Sequence, residues 1–144
     1  MSAEQNTAVL RRQVDEVMNQ GKVTVIDELF APNIVQHAPG APDIVGLDDF
    51  RHFIVAYRTA FPNVRMTIED LVAADDRVVA RYTFRGTQQG ELMGIAPTGK
   101  AVNVPGVAIA RFAGGKIAEV WLSWDTLGMM QQLGVVPAAA PATA

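Results

Sequence analysis

Between Glu4 and Asn19 apolar side chains return at helical intervals, at Leu10, Val14, Val17 and Met18, and Gly21 follows as a stop signal. That spacing predicts a first amphipathic helix. A shorter repeat, Ile26, Leu29 and Phe30, fills Val23 to Phe30, and Pro32 then disfavours helical dihedrals in the residue before it. A second, short helix ending at the Ala31-Pro32 step is expected there, and His37 follows Val35-Gln36 at the end of a helical region. The segment from His37 to Asp43 is a loop by its Pro and Gly content. Gly46 to Ala60 resumes helical spacing through Leu47, Phe50, Phe53, Ile54 and Tyr57. This third helix is expected to end near Phe61-Pro62.

From Asn63 onward the apolar period shortens to two. Val64 to Ile68 and Val78 to Phe84, separated by Ala-Ala-Asp-Asp, read as two antiparallel strands joined by a hairpin. Ala101 to Phe112 is a long third strand, and Gly114-Gly115 supplies the tight turn into a fourth, Lys116 to Trp124. Thr126 to Leu133, stopped by Gly134, is a last short helix. Helices first and long strands afterwards is an α+β order: N-terminal helices packed on a strongly curved, mainly antiparallel sheet that encloses a pocket. Residues 1–134 are expected to form one domain. The Ala/Pro-rich residues 135–144 have little to offset their chain entropy and read as a flexible tail.

The chain has 144 residues, enough for one core, with 49% apolar and 19% charged residues and a formal net charge of −3. That balance offers no electrostatic case for nucleic acid or an anionic membrane as partner. Cysteine is absent, which excludes disulfides and thiolate chemistry, and two histidines are too few for a multi-histidine metal centre. No metal is expected. The opening residues lack a basic region followed by an apolar run, and no stretch approaches the roughly 20 apolar residues that cross a bilayer, so a cytoplasmic location is expected.

Strict alternation along the last strand places Ile117, Glu119, Trp121, Ser123 and Asp125 on one side. If that side lines the pocket, Asp125 is a carboxylate beside aromatic surface, desolvated enough to exchange a proton near neutral pH. Asp125 also stands where it would cap the helix that begins at Thr126. His37, before its Pro/Gly loop, could point into a cavity mouth or simply be a surface histidine with a hydrogen bond. Arg111, like Arg81 and Arg85, could neutralise an anionic substrate or face solvent, and His52 lies off its helix's apolar stripe. The Gly86 to Gly99 loop matches neither a phosphate-binding nor a dinucleotide motif. It reads as a long connection, or as a lid carrying Leu92, Met93 and Ile95. Asp125, His37 and Arg111 are thus the candidate catalytic residues. Trp121, Ser123, Tyr57, Phe61, Met93 and Phe50 are the candidate walls of a substrate pocket.

Three stretches carry a family resemblance: Ala60-Phe-Pro-Asn63; Gly86 to Lys100; and Gly115-Lys-Ile-Ala-Glu-Val-Trp-Leu-Ser-Trp-Asp125, followed by Leu127-Gly and Gln132-Leu-Gly134. In these the chain resembles the polyketide cyclase (SnoaL-like) group of the nuclear-transport-factor-2-like (NTF2-like) superfamily. The resemblance implies a cone-shaped barrel with a deep apolar cavity. It also implies aldol-type cyclisation of an aromatic polyketide ester, with Asp125 in the place of the family's acid/base aspartate and no cofactor. The cyclases use a histidine on the long strand before the Gly-Lys turn, where this chain has Ala110-Arg111. Similar proteins of the family take part in hydroxylating anthracycline-type rings. That alternative would call for an external reductant and an NADPH-dependent partner. A noncatalytic ligand-binding or dimerisation module is a third possibility, and an exposed sheet face suggests a homodimer.

Overall fold

A computed structural model of the chain describes residues 2–137, so residues 138–144 of the expected tail lie outside the described residues. Helix α1 (Ala3–Arg12) opens with a capping box in which the Ser2 hydroxyl accepts from the Gln5 amide and the Gln5 side chain accepts from the Ser2 amide. The same helix runs on in π-helical form over Gln13–Asn19, burying Val14, Val17 and Met18. A 3₁₀ turn (Val23–Val25) leads into α2 (Ile26–Leu29).

The chain then departs from its helical expectation. Phe30–His37 is a strand, β1, whose buried Ile34 and Gln36 alternate with half-buried Val35 and His37. It pairs parallel to the last strand and antiparallel to β2 (Ile44–Val45). Helix α3 (Leu47–Ala60) buries Phe50 and Ile54 toward the sheet, each worth about 1.5–3 kcal/mol of burial. Strands β3 (Arg65–Ala74), β4 (Arg77–Thr87), β5 (Ala101–Ala113) and β6 (Lys116–Trp124) form an antiparallel meander. Helix α4 (Thr126–Leu133) ends at Gly134, whose φ of 79° is the left-handed stop that the sequence signalled.

The sheet is six-stranded and mixed, in the order β2-β1-β6-β5-β4-β3, with β2 and β3 as its two edges. Among the described residues no ladder joins those edges, so the sheet does not close into a barrel through its hydrogen bonds. The core lies between one sheet face and the helices, with Phe30, Phe50, Phe61, Ile54 and Met129 all buried there.

The Gly86 to Gly99 loop is fastened down. Gln88 is fully buried; its Nε2 donates to the Gly90 and Ile95 carbonyls and its Oε1 accepts from the Thr98 amide and hydroxyl. The Gln89 and Gly90 amides donate to the Ala60 carbonyl at the end of α3. Gly90 is required by that approach, because a Cβ there would stand 2.6 Å from the Thr59 carbonyl oxygen. Leu92 packs inward while Met93 is exposed.

Candidate functional site: a cavity between the helices and the sheet

Three alanines sit together at the middle of the sheet: Ala80 on β4 pairs with Ala108 on β5, and Ala110 follows two residues on, on the same face. Their short side chains leave space where larger neighbours would fill the core. The result is a cavity of about 100 Å³, walled on the sheet side by these alanines with Tyr82, Phe84, Val120, Leu122 and Trp124. Helix α3 supplies Phe50, Phe53, Ile54 and Tyr57 at helical spacing, and the N-terminal helix adds Leu10, Gln13, Val14 and Met18. The aromatic rings run in sequence. Phe30 and Phe50 lie 4.4 Å apart between centroids, Phe50 and Phe53 6.4 Å, Phe53 and Tyr57 4.9 Å, and Tyr57 and Trp124 5.6 Å.

Few polar groups reach this lining. Burial raises the pKa of the Tyr57 phenol, and that of Tyr82 rises through burial first and the nearby Tyr57 second. Both therefore stay protonated well above neutral pH as neutral donors. The Gln36 carboxamide on β1 and Gln13 complete the polar set.

Of the residues singled out from sequence, Tyr57 and Phe50 line the cavity. The others stand elsewhere. Phe61 is wholly buried core, edge-on to Phe84 at 5.2 Å, and Met93 is exposed on the fastened loop, so neither the lid nor these two walls apply. Trp121 and Ser123 lie on the opposite sheet face, with Glu119. The cause is a β-bulge. Arg111 pairs with Glu119 and Phe112 with Ile117, which leaves Ala118 as the extra residue. Ile117 faces the cavity, but strict alternation counted from it puts every later residue on the wrong side. Val120, Leu122 and Trp124 are the inward set, and the sequence signal for them is their apolar character at every second position.

His37 and Arg111 do meet, on that outer face and through Glu119. His37 Nε2 lies 2.6 Å from one Glu119 oxygen, Arg111 Nε donates to the other at 3.2 Å, and His37 Nδ1 is 2.9 Å from Asp43. The imidazole stacks on Trp121 at 5.6 Å, and the Arg77 guanidinium covers the same indole at 5.2 Å. Glu119, then Asp43, raises the His37 pKa above its ordinary 6.5, while His37 first and Arg111 next hold Glu119 below its ordinary 4.5. A raised histidine stabilises the fold fully below 6.5 and loses that contribution as pH rises through the folded value. A depressed carboxylate contributes above 4.5 and is lost as pH falls through its folded value. The cluster is therefore strongest between these limits. Thermal melts should show His37→Gln destabilised more at pH 5.5 than at pH 9, and an equal deficit at both would remove the charge from the account.

Asp125 is the N-cap of α4: its Oδ1 accepts from the Gly128 amide at 2.9 Å, and the carboxylate is exposed rather than aimed into the cavity. A Cβ on Gly128 would lie 2.1 Å from Asp125 Oδ2, so glycine there lets the carboxylate fold over the helix start. Asp125 follows Trp124 directly and thus stands at the strand end beside the cavity wall. Among the described residues no group of three or more His, Asp or Glu side chains is disposed to hold a metal ion.

No curated protein matches the chain in sequence. Solved structures do resemble it closely. A proposed SnoaL-like polyketide cyclase from Jannaschia sp. CCS1 superposes with a TM-score of 0.87 at 25% identity, over 94% of this chain and 95% of that one. AclR, a proposed hydroxylase from Streptomyces galilaeus, gives 0.84 at 28% identity over 96% and 87%. IdmH, a proposed polyketide cyclase from Streptomyces antibioticus, gives 0.79 at 29% identity over 90% and 99%. A family model described as SnoaL-like polyketide cyclase matches residues 8–133, which takes in the cavity's walls, the bulged strand and the Asp125 cap. With fold, cavity and sequence motifs in agreement, the chain belongs to the SnoaL-like polyketide cyclase family.

Proposed function

We propose that the chain is an enzyme that takes an enolisable aromatic polyketide ester into this cavity and promotes its aldol-type cyclisation. The observation that carries this reading is the cavity itself, an almost wholly apolar, aromatic-walled space with a few neutral polar groups. A space of about 100 Å³ suits the leading ring of a flat, largely carbon ligand, the rest of which extends through the cavity mouth toward the rim, and it holds reacting carbons within reach of each other. A methylene between two carbonyls gives up its proton readily. The resulting enolate carbon attacks a carbonyl carbon, and the carbonyl oxygen takes a proton as the new bond forms. Tyr57 and Tyr82, kept neutral by burial, are suited to stabilise developing oxyanions by hydrogen bonding. Asp125, exposed at the strand end beside Trp124, exchanges the proton with the part of the substrate that reaches the rim.

Two substitutions separate its cap from its chemistry. Asparagine caps helices as well as aspartate does, so Asp125→Asn should fold as the wild type yet lose ~100-fold or more in turnover. Asp125→Ala should lose the cap as well, about 1 kcal/mol in a urea titration. Full activity in Asp125→Asn would take this carboxylate out of the mechanism.

A second reading has its own support. The strand position that faces the cavity is Ala110, with Arg111 turned to the outer face, so no histidine base stands there. AclR, described as a proposed hydroxylase, is among the similar structures. In this reading dioxygen hydroxylates an electron-rich polyketide, one oxygen atom entering the ring and the other leaving as water with two electrons that NADPH supplies through a reductase. Incubating purified protein with tricyclic and tetracyclic polyketides, with and without a reductase and NADPH, decides between the two. Cyclisation by aldol closure adds no oxygen, whereas hydroxylation raises the product mass by one oxygen atom.

A further inference from the structure

Gln36 is 5% exposed, lines the cavity, and its Nε2 has no hydrogen-bond partner among the described residues. Its register neighbours are Val120 on β6 and Ile44 on β2, which have no side-chain group to offer it. Gln88 shows what this fold does with a glutamine buried for structure. All of that side chain's polar atoms are bonded, to Gly90, Ile95 and Thr98. Asn6 Oδ1 is also buried without a partner, but Asn6 lies outside the cavity lining. Of the two buried side-chain atoms without a partner among the described residues, only Gln36 Nε2 belongs to a residue of the cavity wall. Buried polar groups are almost always bonded, so a solitary one in the wall of an apolar cavity is matched to something that enters it.

We propose that the Gln36 carboxamide anchors a carbonyl oxygen of the ligand, so that the cavity selects flat aromatic ketones over hydrocarbons of the same shape. An acceptor on the ligand converts the unpaired N–H into a hydrogen bond in a water-poor setting, and a ligand lacking it leaves that N–H unpaired. In a polyketide such a bond fixes which carbonyl lies at the β1 end of the cavity, and hence which carbons meet. The proposal rests on the cavity being the ligand site.

9-Fluorenone and fluorene share one tricyclic skeleton and differ by a carbonyl in place of a methylene. Dissociation constants of both would be measured by calorimetry for the wild type, Gln36→Met and Gln36→Leu, together with each protein's melting temperature. The preference of the wild type for fluorenone should fall by roughly threefold to tenfold in both variants, the range set by one neutral hydrogen bond. Melting temperatures should hold or rise, because an unpaired buried amide has been removed. An unchanged preference, or lower melting temperatures in both variants, would overturn the role of Gln36 while leaving the cavity as ligand site. Failure of the wild type to bind either compound would instead overturn the cavity reading and this proposal with it.

Discussion

Ala108→Phe is expected to lower ligand affinity and turnover by ~100-fold or more, equivalent to about 2.7 kcal/mol, while the chain remains folded. Ala108 sits in the floor of the cavity, paired with Ala80 on one side and Leu122 on the other. A phenyl ring placed there occupies the space meant for the ligand. Because the ring enters an existing void, the overpacking cost of about 1–3 kcal/mol usual for a filled core should be reduced. The neighbouring residue supplies the control. Val107 points to the other face and is 42% exposed, so Val107→Phe should leave binding and turnover as they were. Calorimetry and a product assay on the two variants read the difference directly.

Phe61→Ala should have the largest effect on stability, about 3–5 kcal/mol. Phe61 is wholly buried, meets Phe84 edge to face, and comes so close to β4 that a Cβ on Gly86 would lie 3.1 Å from its own Cβ. Its removal leaves a void in packed core beside the loop anchored on Ala60. A urea titration should show the midpoint falling with the slope unchanged. At low urea, where the variant remains folded, ligand affinity should change far less than in Ala108→Phe, since Phe61 does not line the cavity.

The same contrast explains what sequence patterns reveal here. Helix α3, strand β6 and helix α4 were legible because period and punctuation agree: Gly46 and Phe61-Pro62 bracket one, the Gly114-Gly115 turn begins another, and Gly134 ends the last. Strand β1 was not. Phe30-Ala-Pro-Asn carries no alternation, and its partner, β6, lies some eighty residues away, so its strand conformation comes from tertiary pairing. The π-helical stretch of the first helix likewise has no local signal.

The site was half legible for a related reason. Tyr57 and Phe50 follow from helical spacing, which nothing interrupts. The inward face of β6 depends on one extra residue, Ala118, visible only when the pairing with β5 is known. That residue moves Trp121 outward beside His37 and turns Trp124 inward beside Tyr57. Gln36 has no sequence signature, because a lone glutamine in a strand carries no motif; its meaning lies in the partner it lacks.

The two tryptophans of the chain thus report opposite sides of one strand. Titrating the ¹⁵N-labelled protein with 9-fluorenone and following both indole N–H resonances tests whether the ligand enters the cavity. The Trp124 signal should shift with saturation while that of Trp121 stays in place. Movement of the Trp121 resonance with Trp124 unaffected would put the ligand on the outer face and contradict the account.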